Sequence, residues 1–421
     1  MHHFQYRDGQ LQAEEVPLAA IAAEVGTPVY VYSRATLLRH FHAFDGAFKG
    51  LDHLVCFSVK VNSNLAVLKL FGDLGAGADV VSGGELFRAL EAGIPAERIC
   101  FAGVGKTEAE LIQGIEAGIL MFNVESVPEL ESLNQAAGRL GRRAPVAIRV
   151  NPDVDAGTHP YISTGLKKNK FGLDVDQSLI AYQMAHQMDN IEVKGIGFHI
   201  GSQVTECSPF VDALARLKVL IGRLAKEGIE LKYLDMGGGL GIPYLDEEPP
   251  QPQEYAAALA SELEGLGLKV ILEPGRVIAG NAGILLTRVV YIKETETKKF
   301  VIVDAAMNDL IRPSLYGAKH DIIPVMAAGP PAGSVDIVGP ICESTDFLAQ
   351  DRPMPHLSAG QLVAVMSAGA YGFVMASNYN SRPRPAEVMV AKDEYAVIKQ
   401  RETYQDLIRG ESLPGFLRGN E

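Results

Sequence analysis

The chain has 421 residues, 47% of them hydrophobic and 21% charged, a composition that suits a globular enzyme with room for two domains or a large barrel with an appendage. Its 38 basic and 51 acidic residues give a formal net charge of −13, which repels phosphate backbones and anionic lipid, so neither nucleic acid nor membrane is an expected partner. The N-terminus, MHHFQYRDGQLQAEEVPL, has no basic stretch followed by an apolar core, and no apolar run approaches the ~20 residues of a spanning helix. Cys56, Cys100, Cys207 and Cys342 stand far apart without a CxxC pair, which fits neither a disulfide framework nor a zinc site and points to a cytoplasmic location.

The first strand-like segment, VYVYS from Val29, closes an N-terminal stretch (1–33) that the pattern leaves free to join a later domain. From about residue 54 to 273, short apolar runs alternate with amphipathic segments. The runs are LVCFSVK (54–60), ADVVS (78–82), RICFAG (98–103), ILMFNV (119–124), PVAIRVN (145–151), GIGFHIG (195–201), LKYLDMG (231–237) and LKVILEP (268–274). Little polar alternation interrupts them, as expected of strands covered on both faces. GELFRALEAG, EAELIQGIEAG and PFVDALARLKVLIGRLAKEG between them read as helices, several ending in Gly. Eight runs with helical crossovers predict an α/β (β/α)8 TIM barrel over 34–280, with a doubly wound open sheet as the rival. The polar stretch His159–Phe171 is too long for a simple connection and is the candidate lid. After Arg276 the pattern changes to ILLTRVVYIKE, KKFVIVDAA, GSVDIVGPICE, GQLVAVMSAG and EVMVAKDEYAVIKQ, predicting a C-terminal all-β domain over 281–421 that includes 1–33.

Barrel enzymes carry their chemistry at the carboxyl ends of the strands. Lys60, Asp79 with Ser82, Asn151, His199 with Ser202, Gly237–Gly239, and Glu273 with Arg276 all fall there. Lys60 is either a solvated lysine or an amine aimed into the mouth, where desolvation lowers its proton affinity and makes it a Schiff-base former. DMGGGLGIPY is a flexible turn or a phosphate cradle, and EPGR sets a carboxylate and a guanidinium beside it. Glu273, ending an apolar strand, needs a cationic partner: a protonated pyridine nitrogen or an arginine. His199 is a satisfied core residue or a ring that stacks on a cofactor.

FSVKVNSN, ADVVSGGE, NPDVDAGTHPYISTGLKKNKFG, HIGSQ, GGGLGIPY, EPGR, CESTDFLA and GAYGFVMASNYNSRPRPAEVMV together resemble the diaminopimelate decarboxylase family, fold-type-III pyridoxal-phosphate enzymes with an alanine-racemase-like barrel. The resemblance runs from about residue 20 to the end, and HIGSQ and THPYISTG point away from the related ornithine and arginine decarboxylases. It departs at Val61, where the family often has Ala.

The resemblance implies that Lys60 holds pyridoxal 5'-phosphate as a Schiff base. It implies that His199 stacks on the ring and that Ser202, Gly238, Gly239, Gly275 and Arg276 hold the phosphate. It places Asp79 and Tyr371 at the cofactor and pairs Glu273 with the pyridinium. Arg276, Arg312 and Tyr316 would bind the distal carboxylate, Glu343 the distal ammonium, and Tyr371 would touch the substrate as well. Cys342 would return a proton to the α-carbon and, with Glu343, would come from the second subunit of a homodimer. The implied reaction converts meso-diaminopimelate to L-lysine and CO2. Rival readings are a racemase on the same barrel, whose product keeps the carboxylate, a decarboxylase of ornithine, lysine or carboxynorspermidine, and a non-catalytic pyridoxal-phosphate protein. Cys342 on its own would be a buried structural thiol. No metal is expected.

Overall fold

The eight apolar runs form eight parallel strands: His53–Ser58, Gly77–Val80, Ile99–Phe101, Met121–Val124, Ala144–Arg149, Ile191–Gly197, Tyr233–Asp235 and Lys269–Leu272. In this computed structural model, which describes residues 2–155, 165 and 170–417, they pair in chain order and close. Lys269–Leu272 meets the first strand, with Val270 opposite His53, so the open-sheet alternative is excluded. Strands such as Ile99–Phe101 and Met121–Val124 are buried along their whole length, which is why their sequences lack alternation.

The intervening helices begin and end where their chemistry directs. Ser82 caps Gly83–Glu91 by accepting the Glu85 N–H. Thr107 and Glu110 form a reciprocal capping box on Glu108–Ala117, which stops at Gly118 with φ +71°. Val59–Val61, a single 3-10 turn directly after the first strand, carries Lys60. The expected lid falls outside the described residues apart from Gly165, Lys170 and Phe171.

By internal contacts the chain divides into two units. One holds Ala35–Ala282 and Gly369–Val374, and it contains the barrel. The other holds His3–Arg34, Gly283–Ala368 and the chain from Met375 onward, and it is built largely of strands. Its central strand Gly283–Glu294 pairs antiparallel with Val29–Ser33, with Lys299–Val303 and with Leu362–Val365. Val29, Val31, Ile284, Leu286 and Val388 form its core with Leu11 and Ile21 of the N-terminal segment.

Three features of this unit differ from expectation. EVMVAKDEYAVIKQ is not one strand but a hairpin, Ala386–Ala391 and Glu394–Lys399, that turns at Lys392 with φ +58°. The strand in GSVDIVGPICE stops at Val338, where Gly339 and Pro340 end it. Phe347–Met354 and the N-terminal strands Phe4–Arg7 and Gln10–Ala13 went unforeseen, because their sequences FLAQDRPM, FQYR and QLQA are too polar to stand out as apolar runs. Among the described residues no helix is long and apolar enough to cross a membrane.

Candidate active site

At the carboxyl ends of the barrel strands lies a cavity of about 440 Å³, within the usual range for small-molecule sites. Lys60, His199 and Glu273 line it, together with Asn123, Arg149 and Asp235. The 3-10 turn after the first strand is what brings Lys60 to the wall.

Lys60 differs in one respect from its expected chemistry. Its Nζ donates to Asp79 Oδ2 at 2.5 Å, and the same oxygen accepts the Ser58 hydroxyl at 2.9 Å. Burial alone would lower the proton affinity of the amine, but Asp79, Glu273 and Tyr371 outweigh it and hold the ammonium above its ordinary range. Lys60 therefore rests as an ammonium, and Asp79 is the base beside it. Asp79 is fully buried, and its other oxygen, Oδ1, has no hydrogen-bond partner among the described residues.

Beneath the cavity Glu273 sits beside a second carboxyl that the motif reading did not single out, Asp235 at the end of the seventh strand. The Asn123 amide nitrogen donates to Asp235 Oδ2 at 2.7 Å and lies 3.5 Å from Glu273 Oε1. Asp235 Oδ1 accepts the Gly237 N–H at 2.9 Å. Burial first, then Asp235 and Asp79, push the Glu273 carboxyl well above the ordinary carboxyl range, and burial raises Asp235 as well. Among the described residues Glu273 forms no ion pair with an arginine.

His199 follows the sixth strand, and its Nδ1 accepts the Gly238 N–H at 3.2 Å. That bond leaves Nδ1 unprotonated. Burial, Arg149 and Lys60 all lower the proton affinity of the ring, so His199 is neutral. The neighbouring glycines are required by packing. A Cβ on Gly238 would lie 2.1 Å from the Glu273 carbonyl oxygen, and one on Gly239, where φ is +122°, would lie 2.4 Å from that of Gly201. On Gly275 it would lie 2.3 Å from a Val61 methyl.

Arg276 gathers the remaining barrel residues. Its Nη2 donates to Ser202 Oγ at 3.0 Å and its Nη1 to the Tyr244 hydroxyl, while its guanidinium lies 4.9 Å from the Tyr371 ring centre. Tyr371, distant in sequence, is fixed there by its N–H donating to the Val61 carbonyl at 2.9 Å. Asn151 acts locally, bonding the Phe171 carbonyl and the Asp153 N–H across its loop.

The other unit carries Arg312, Tyr316, Cys342 and Glu343. Arg312 is buried at the start of the short helix Arg312–Tyr316, and its Nε donates to His320 Nε2 at 3.3 Å. Cys342 and Glu343 are exposed on the CESTDF loop. The loop is held by the Cys342 N–H on Asn380 Oδ1 at 2.8 Å and by the Tyr379 hydroxyl on Glu343 Oε2 at 3.1 Å.

This donor set fits pyridoxal phosphate. An amine stands at the wall for the aldehyde, a buried carboxyl for the ring nitrogen, and a flat neutral ring for the face. A hydroxyl–guanidinium pair is present for the phosphate, and the buried acceptor Asn123 Oδ1 has no hydrogen-bond partner among the described residues. The motif reading missed Asn123, Arg149 and Asp235. Each lies in a quoted apolar run, ILMFNV, PVAIRVN and LKYLDMG, and a polar residue near the end of a buried strand was a signal that could have found all three.

A family model, pyridoxal-dependent decarboxylase, pyridoxal binding domain, matches residues 34–280. The diaminopimelate decarboxylase of Vibrio cholerae is 55% identical over 98% of this chain and 99% of its own, and that of Aquifex aeolicus 52% over 96% of each. Among solved structures, diaminopimelate decarboxylase of Helicobacter pylori complexed with L-lysine superimposes with a TM-score of 0.91 at 42% identity, covering 93% of this chain and 98% of that one. The enzyme from M. jannaschii in complex with L-lysine gives 0.94 at 41%, covering 99% and 100%. With this likeness running through nearly all of both chains, and with the lysine, the buried carboxyls and the Ser202–Arg276 pair assembled as a pyridoxal site requires, the chain belongs to the diaminopimelate decarboxylase family of pyridoxal-dependent decarboxylases.

Proposed function

We infer that the protein removes CO2 from meso-2,6-diaminopimelate to give L-lysine, the last step of lysine biosynthesis. The observation that carries this is the full-length likeness to diaminopimelate decarboxylases, whose solved structures include complexes with L-lysine.

Pyridoxal phosphate, when bound, supplies an electron sink for the pair left on the α-carbon as CO2 departs. The residues of the chain do the rest. Lys60 is the amine that would attach the cofactor, and Asp79 Oδ2, which accepts from its Nζ, would orient it. His199, kept neutral and oriented by the Gly238 N–H, presents an uncharged face to the ring. Ser202 and Arg276 would hold the phosphate beside Gly238, Gly239 and Gly275, and Glu273 would pair with the ring nitrogen. Arg276, Arg312 and Tyr316 fix the distal carboxylate, and Glu343 fixes the distal ammonium. Leaving either charge unpaired in a closed site would cost several kcal/mol. Cys342 Sγ delivers the proton that replaces CO2, and Tyr371 borders both cofactor and substrate.

The exposure of Cys342 and Glu343 supports a homodimer in which each subunit lends them to the site of the other, since a proton donor and a charge reader need a covered site. In this reading 34–280 is the cofactor domain, and 281–421 with 1–33 supplies substrate contacts, a division that the two contact-defined units support. The four free cysteines support a reducing, cytoplasmic location.

The test is CO2 and amine product from purified protein with pyridoxal phosphate, offered meso-diaminopimelate, ornithine, lysine and arginine in parallel. Lysine from diaminopimelate alone is expected. Turnover of ornithine or lysine would keep Lys60 and discard the roles of Arg312, Tyr316 and Glu343.

A further inference from the structure

Three carboxyls and one amine meet at the floor of the cavity: Asp79, Asp235, Glu273 and Lys60. With all four ionised the floor would carry two surplus negative charges in a buried site, and such a site keeps one carboxyl protonated instead. Geometry identifies the pair that holds the proton. Asp79 Oδ2 accepts from Lys60 Nζ at 2.5 Å, so that carboxyl and that amine are each other's partners. Asp235 and Glu273 have no cation of their own among the described ion pairs and meet at a single donor, the Asn123 amide, 2.7 and 3.5 Å away. Of the other groups nearby, Lys60 also acts on Glu273 but bonds Asp79, Arg149 on the cavity wall is paired with Glu125 at 3.0 Å, Cys100 is a buried thiol, and Ser58 donates to Asp79 and to the Glu273 carbonyl. Asp235 cannot swing away, because the Gly237 N–H holds its Oδ1 while Asn123 holds its Oδ2.

We propose that Asp235 is a positioning residue for the cofactor: fixed by Asn123 and the Gly237 N–H, it stores one proton jointly with Glu273 and yields it to the ring nitrogen that Glu273 faces. The proton leaves a carboxyl oxygen of the pair and joins the nitrogen lone pair. Both carboxyls are then ionised against a pyridinium, and no proton is drawn from solvent. Asp235 thus would add a second negative charge beside that of Glu273. The upward displacement of both carboxyls agrees with a shared proton. The inference rests on the reading that Glu273 faces the ring nitrogen.

The test is proton counting. Full-length wild type and Asp235→Asn, both stripped of cofactor, are titrated by calorimetry in buffers of different ionisation enthalpy. The ligands are pyridoxal phosphate and its carbocyclic analogue, in which CH replaces the ring nitrogen. With pyridoxal phosphate the variant takes up about one proton more from solvent than wild type, because it holds no stored proton. With the analogue the two proteins do not differ. Equal uptake with pyridoxal phosphate overturns the proposal. Should Asp235→Asn not fold, infrared difference spectra of wild type decide. The carbonyl band of a protonated carboxyl is present without cofactor, lost with pyridoxal phosphate and retained with the analogue; its absence from the cofactor-free protein overturns the proposal. Glu273→Gln separates the two layers. If that variant still prefers pyridoxal phosphate to the analogue, the reading of Glu273 fails. If it loses the preference while Asp235→Asn matches wild type, only the stored proton fails.

Discussion

The barrel mouth and the CESTDF loop both carry candidate site residues, but they are prepared in opposite ways. In the barrel, Asp79, Asp235, Glu273 and Arg276 are at most 7% exposed, and each is tied to a neighbouring strand or turn. On the loop, Cys342 and Glu343 lie in solvent, anchored from behind by Asn380 and Tyr379. The first arrangement is a site organised before any ligand arrives, at the expense of burying several carboxyls. The second holds its residues in place but leaves them uncovered.

The largest effect falls on the organised side. Lys60→Ala should reduce turnover by roughly 10³-fold or more, as loss of a covalent catalyst does. Borohydride should no longer fix the cofactor to the chain, and a variant that still retained it covalently would refute the role of Lys60. Next comes the buried cation of the other unit. Arg312→Leu should raise KM for meso-diaminopimelate by at least about 30-fold, because an unpaired buried carboxylate costs about 2 kcal/mol or more. Cofactor retention should be unchanged, and an unaltered KM would remove Arg312 from the distal site.

The strain of organising the mouth should itself be measurable. Burial of Glu85, whose Oε2 accepts the Val81 N–H at the cavity wall, lifts its carboxyl from the ordinary 4.5 to about 7. Folded Glu85 therefore keeps a proton that the unfolded chain has already released, so its contribution to stability falls as pH rises through that window. Relative to Glu85→Gln, wild type should lose about 1–3 kcal/mol between pH 4.5 and 7, read from urea midpoints. Parallel curves would show that the carboxyl titrates as it does in water.

The smallest signal tests the uncovered side. Lys60→Ala and Cys342→Ala, each inactive alone, are mixed, dissociated and reassociated. If the loop serves the site of a second subunit, half the dimers carry one intact site of two, and about a quarter of wild-type activity returns. No recovery would place Cys342 in the site of its own chain.

Most of the barrel was legible because a strand buried on both faces has few residue types open to it, and eight such runs leave an unmistakable pattern. The hairpin Ala386–Lys399 was read as one strand because its turn, Lys392–Asp393, has no Gly or Pro to mark it. Phe347–Met354 was missed for a related reason: a strand with polar residues along much of its length gives no period to count. In the site, Lys60, His199, Glu273 and Arg276 were found through motifs. Asp235 and Asn123 were not, because their meaning lies in each other, and the two are 112 residues apart in the chain.

The sequence by itself determined the barrel, the strand ends where chemistry could sit, and the family to which those motifs belong. These depend on local pattern: which residues tolerate burial, where a helix can start, and where only glycine fits. Tertiary structure alone decided the charge states. Lys60, read as a solvated lysine or a desolvated amine, has its proton affinity held up because strand pairing sets Asp79 beside it. Glu273 was expected to need a cation, and a second carboxyl, Asp235, meets it at the Asn123 amide. Proton affinity is set by neighbours a few ångströms away in space, and barrel closure chooses those neighbours.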